Sequence, residues 1–157
     1  MLRLRYNMPL RKNDVAILIL EGNMDLTKGL MAQVCLAPKN HDCTGDALVS
    51  AFGRLSFINE SLSDELMGVV VPIISDHKCL ESFPYMVYES NVCDGGEAGK
   101  DSCWRDSGGP LVPMSGPAYL CGLVSWGDEC AKHGFLGVYT EISHYTDCIT
   151  DAISQNR

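Results

Sequence analysis

The chain has 157 residues, 46% hydrophobic and 20% charged, with a net charge of −8. That length and balance suit a single globular domain with a real core. They exclude a basic nucleic-acid footprint, and no apolar run is long enough to cross a membrane.

Near the start, Arg3, Arg5, Arg11 and Lys12 are interleaved with Leu4, Tyr6, Met8 and Leu10, which reads as the solvated side of an entering strand. Val15-Ala-Ile-Leu-Ile-Leu20 is a continuous apolar run, the pattern of a strand buried on both faces. Leu48-Val-Ser-Ala-Phe52 and Gly68-Val-Val-Val-Pro-Ile-Ile74 are further strand candidates. Ser75-Asp-His-Lys-Cys-Leu-Glu-Ser82 reads as a short helix capped by Ser75 or Asp76. Asp94-Gly-Gly-Glu-Ala-Gly99 reads as a loop, because its glycines favour turns. Pro110-Leu-Val112 and Cys121-Gly-Leu-Val-Ser-Trp126 read as strands around a turn at 113–117, Gly137-Val-Tyr-Thr140 as another strand, and 144–155 as a C-terminal helix. Many short strands with Gly-rich turns predict an all-β barrel or sandwich.

Eight cysteines in so short a chain point to an oxidising compartment, so a secreted, extracellular setting is expected. Residues 1–20 hold three arginines and one lysine and lack the form of a signal peptide. Together these predict a chain truncated at its N-terminus. Asn59-Glu-Ser61 is an N-glycosylation acceptor pattern, used only on secretion.

The strongest chemical signal is Lys100-Asp-Ser-Cys-Trp-Arg-Asp-Ser-Gly-Gly-Pro-Leu-Val112. A serine is a poor nucleophile at neutral pH. It needs a constrained turn, an adjacent base and nearby donors for an oxyanion. The glycines after Ser107 permit such a backbone, although Asp-Ser-Gly-Gly alone is also an ordinary turn.

With this block the sequence resembles the chymotrypsin/trypsin family over nearly its whole length. Asn13-Asp-Val-Ala-Ile-Leu18 resembles the segment holding the triad aspartate, and Val49-Ser-Ala-Phe-Gly53 the family's Ser-Gly-Trp-Gly segment. Ser125-Trp-Gly127, Cys130 and Gly137-Val-Tyr-Thr140 follow in family order. The resemblance implies a trypsin-like double β-barrel. It is represented here mainly by the second barrel plus the last strand of the first, with a short intermediate helix and a C-terminal helix. Residues 1–35 would be a remnant of the first barrel and linker, 36–143 the second barrel, and 144–157 the helix.

The same resemblance implies a serine endopeptidase that cleaves after Arg or Lys through an acyl-enzyme on Ser107. Asp14 would orient the base, and the N–H groups of Arg105 and Ser107 would form the oxyanion hole. Asp101, six residues before Ser107, would lie at the base of the specificity pocket and pair with the substrate's cation, since an unpaired buried carboxylate is costly. Ser125, Trp126, Gly127 and Gly137 would complete the substrate site, the glycines leaving room for a long side chain. No cofactor or metal is implied, and a zinc site at His41 and Cys43 lacks a second ligand pair. Expected partners are protein or peptide substrates with Arg or Lys at the cleavage site, and serine protease inhibitors.

Several positions depart from the family. The family's catalytic histidine precedes the aspartate, yet residues 1–13 hold none; His41, His77, His133 and His144 all follow Asp14 and read as surface residues. The chain alone is therefore expected to be inactive, its rate lower by roughly 10³-fold or more. Asp106 would lack its usual α-amino partner, leaving the pocket zymogen-like. Arg105 stands where the family has glycine; its side chain would crowd the leaving-group side. These departures keep open a non-catalytic relative that binds a partner through the old cleft. Cys79–Cys93 and Cys103–Cys130 match family disulfides, whereas Ala47 and Pro113 occupy both ends of a third. Cys35, Cys43, Cys121 and Cys148 remain with three pairings open.

Overall fold

The structure is a computed structural model that describes residues 2–3, 5–29, 32–54, 61–97, 102–128 and 132–155. In chain order the short strands β1 (Leu2–Arg3), β2 (Ala16–Ile17) and β3 (Cys35–Leu36) come first, then the longer β4 (Asp46–Ala51) and β5 (Met67–Pro72). Helix α1 (Asp76–Ser82) leads to β6 (Asn91–Cys93), and β7 (Pro110–Pro113), β8 (Tyr119–Leu120), β9 (Gly122–Gly127) and β10 (Gly137–Glu141) follow. A 3-10 turn, Ile142–His144, opens onto α2 (Thr146–Gln155).

Six strands form one antiparallel sheet in the order β5-β4-β7-β9-β10-β6. The sheet curls until its two edges meet. Ile73, just past β5, bridges Asp94, just past β6, and the N–H groups of Ile74 and Gly95 donate to the carbonyls of Cys93 and Pro72. Curling buries one face, which explains the alternation in β4, where Ala47 and Val49 point inward. Val71, Val92, Leu111, Val124 and Tyr139 join them in the barrel interior. In β10, which lies between β9 and β6, every residue is buried. A second cluster of Val15, Ala37, Ile142, Tyr145 and Ile149 seats α2 on the outside of the barrel. A third, Cys79, Val87, Cys93, Leu136 and Val138, seats α1.

The all-β barrel expectation holds, and the described residues contain one six-stranded barrel sheet; β1 and β2 pair only with each other. The helix expected at 75–82 is α1, with Ser75 as N-cap residue. The C-terminal helix starts two residues later than expected, because Ile142–His144 first turns tightly.

Other readings are corrected. The run 15–20 is not buried on both faces: Val15 is buried, but Leu18, Ile19 and Leu20 are exposed, Leu18 by 71%. Only Ala16 and Ile17 find a strand partner, so the rest of the run meets no second layer. Of the basic segment, Arg3 lies in the short strand β1, but Arg11 and Lys12 do not lie on the solvated side of a strand. Residues 7–12 form a tight turn closed by an Asn7–Lys12 bridge, which lays Arg11 over Trp126 and Lys12 over Tyr88. Asp94, read as loop, is only 1% exposed.

Among the open cysteines, Cys43 bonds Cys121, and Cys35 and Cys148 are free and exposed. The disulfide also removes Cys43 as a zinc ligand. Cys79–Cys93 ties α1 to β6 as expected. Cys103 is disulfide-bonded; its expected partner Cys130 lies outside the described residues, as do Asp101 and Asn59. Ala47 and Pro113 face each other in the β4–β7 register.

Candidate active site

Ser107 is exposed on a turn between the 102–106 segment and β7. The N–H of Asp106 donates to the Cys103 carbonyl (3.1 Å), that of Gly109 to Asp106 (2.8 Å), and that of Gly108 across to Val124 of β9 (2.8 Å). Gly108 has φ +83°, a region that side chains rarely adopt. A Cβ on Gly109 would lie 2.8 Å from the Asp106 carbonyl oxygen. The two glycines after the serine are therefore required, one by conformation and one by close approach.

The Asp106 carboxylate braces this turn against the β4 end of the barrel. Its Oδ1 accepts from the Gly53 N–H (2.8 Å) and its Oδ2 from the Cys103 N–H (2.7 Å). Gly53 has room only for hydrogen, since a Cβ would sit 2.0 Å from Oδ1. Two backbone donors thus hold the carboxylate whose usual α-amino partner was expected to be missing. Arg105 has φ +73°, a left-handed conformation that costs a non-glycine residue about 1 kcal/mol. It replaces a glycine at a position whose backbone favours glycine.

Asp14 comes from the other end of the chain. The Ser125 hydroxyl donates to Asp14 Oδ2 at 2.6 Å, and the Thr140 hydroxyl to the Asp14 carbonyl at 2.9 Å. Its neighbour Asn13 accepts from the Tyr145 hydroxyl (3.1 Å), and Val15 packs among Ala37, Ile142, Tyr145 and Ile149. Strands β9 and β10 and the approach to α2 therefore fix Asp14, across 111 residues of sequence in the case of Ser125.

Ser107 and Ser125 line one cavity of about 230 Å³. Cys103, Trp104 and Arg105 form one wall; Trp126, Gly127 and Asp128 form the other. Gly127 lies on the lining, and Gly137 stands behind it as its register partner, buried. Of the described lining residues, Arg105 and Asp128 carry charge and none is a histidine. The four histidines are exposed: His41 meets the Tyr119 hydroxyl (3.0 Å), and His77 and His144 face Glu81 and Glu141.

Two residues at this site escaped the sequence reading. Asp94 accepts from the N–H groups of Gly96 (3.1 Å) and Gly137 (2.9 Å) and from the Tyr139 hydroxyl (2.9 Å), fixing the strand behind the cavity wall. Arg11 places its Cζ 4.6 Å from the Trp126 ring centroid. Neither has a local sequence signal, because each is defined by partners far along the chain.

The family model for trypsin matches residues 2–149. The chain belongs to the trypsin family. This family of serine endopeptidases is met again among individual relatives. Trypsin-1 of Astacus astacus is 38% identical over 147 residues, covering 92% of this chain and 61% of the relative. Trypsin eta of Drosophila melanogaster is 35% identical over 147 residues (92% and 55%), and coagulation factor IX of Cavia porcellus 34% over 150 residues (90% and 52%). The chain spans between half and two thirds of the length of these curated relatives. The trypsin-family match takes in every barrel strand together with Asp14, Ser107 and the cavity that Ser107 and Ser125 line.

Proposed function

We propose that this chain is the pocket-bearing part of a serine endopeptidase that cleaves peptide bonds after Arg or Lys. One observation carries the reading: Asp14, bonded to Ser125, is drawn to the strand that lines the same cavity as Ser107. Ser107 Oγ attacks the scissile carbonyl and forms the acyl-enzyme, while the N–H groups of Arg105 and Ser107 receive the developing oxyanion. Asp14 orients the base and stabilises its charged form. Asp101, with Gly127 and Gly137 as walls, receives the substrate's cation. The proton acceptor comes from polypeptide outside this sequence. Residues 1–35 then represent the end of a first barrel and its linker, 36–143 the second barrel, and 144–157 the closing helix. The disulfides support secretion, with peptides and protease inhibitors as partners.

A second reading, a non-catalytic relative that binds through the cleft, is favoured by Arg105 and by the lack of histidine among the described lining residues. Two measurements test these readings. The chain alone is expected to resist labelling of Ser107 by a fluorophosphonate, as a serine without a base should; rapid stoichiometric labelling would show that the base is already present. In a longer form that hydrolyses arginyl substrates, Asp101→Ser is expected to lower kcat/KM for them by about a hundredfold, the loss of one charge-assisted contact. Unchanged preference for basic residues would remove Asp101 from the pocket. Absence of hydrolysis in the longer form would favour the binding module.

A further inference from the structure

We propose that Arg11 and Arg105 form a cationic rim on the Ser107 cavity, selecting peptides whose acidic side chains flank the residue that enters it. The inference rests on the reading of this cavity as a substrate cleft. Arg105 lies on one wall, and Arg11 lies over Trp126, which belongs to the other. Both side chains are exposed.

Three observations bear on them. The chain carries 20 acidic residues against 12 Lys and Arg, yet neither arginine has a carboxylate partner among the described residues. Both hold positive φ, +50° at Arg11 and +73° at Arg105, a conformation uncommon for non-glycine residues that Arg5 shares at +56°. Stacking on an indole face engages the plane of the Arg11 guanidinium and leaves its edge N–H donors free for a carboxylate. The cavity itself presents Asp128. A positive rim on a pocket that takes a basic side chain, as the proposed function has it, is complementary to acidic residues on either side of that side chain. Because both arginines are exposed, each contact is worth at most about fivefold in affinity and is weakened by salt.

The test uses four synthetic peptides blocked at both termini, with Arg or Gln at the centre and Glu or Gln on both flanks, titrated against the full chain by fluorescence anisotropy. Glu flanks should tighten binding up to about fivefold per arginine. Arg11→Gln and Arg105→Gln should each remove one factor, and the pair together, or 500 mM NaCl, should erase the preference. Arg105→Gly, which relieves the positive φ, is the second variant and should lose the same factor as Arg105→Gln. Equal affinity for Glu and Gln flanks, a flank preference that survives both substitutions, or no binding of any peptide overturns the rim. A flank preference without a preference for central Arg leaves the rim standing and removes the cleft reading instead.

Discussion

Replacing Cys43 and Cys121 together by alanine is expected to lower the stability of the barrel by about 4 kcal/mol. The bond closes a loop with a sequence separation of 78, and a cross-link restricts the unfolded chain more as its loop lengthens. Both cysteines are nearly fully buried in the barrel interior, so the double substitution also leaves space beside Val49 and Leu111. The Cys79–Cys93 bond spans a separation of only 14, and its removal should cost about 3 kcal/mol. Denaturant unfolding of the two double variants under non-reducing conditions measures the difference. Equal losses, or a greater loss at Cys79–Cys93, would show that the 43–121 bond does not restrict the unfolded chain as described.

Glu141→Gln is expected to stabilise the protein above pH 7 by on the order of 3 kcal/mol. Glu141 is only 5% exposed, and burial pushes its carboxyl up to about 7 from the usual 4.5. The Cys43 N–H, which donates to Oε1 at 3.1 Å, pulls the other way, whereas the charges of Asp76 and Asp42 add to the rise. A raised carboxyl pKa means that the folded state holds a proton the unfolded state has released. The stabilising contribution is therefore present below about pH 4.5 and is lost as the pH rises through 7. Glutamine keeps an acceptor for the Cys43 N–H and does not titrate. His144 also faces the carboxyl, its Nε2 3.6 Å from Glu141 Oε2. Thermal unfolding between pH 4.5 and 8.5 should show parent and variant diverging towards high pH. Parallel curves would place the Glu141 carboxyl in the ordinary range.

The sequence made the barrel legible where strands run four residues or more beside a Gly or Pro, as β4, β5, β7, β9 and β10 do. It hid β6, three residues between two turns, and β8, two residues long, because neither reaches the length at which alternation can be read. The apolar run 15–20 misled, since hydrophobicity reports what a segment would bury and not whether a second layer is present to cover it. At the site, the motif around Ser107 and the Asn13-Asp14 pair fixed the main parts. The Cys43–Cys121 pairing was undecidable, because two cysteines 78 positions apart carry no mutual signal. Asp94 was taken for loop because an Asp beside two glycines usually is; the three donors that make its burial tolerable come from residues 96, 137 and 139.

The anchoring of Asp14 by Ser125, Thr140 and the packing around Ile149 has a consequence for biosynthesis. A ribosome makes Asp14 more than a hundred residues before the groups that hold it. Its side-chain and carbonyl partners lie in β9 and β10, so the aspartate is fixed only once those strands are in place. Such distant contacts are slow to close, which sets completion of the site at the end of folding.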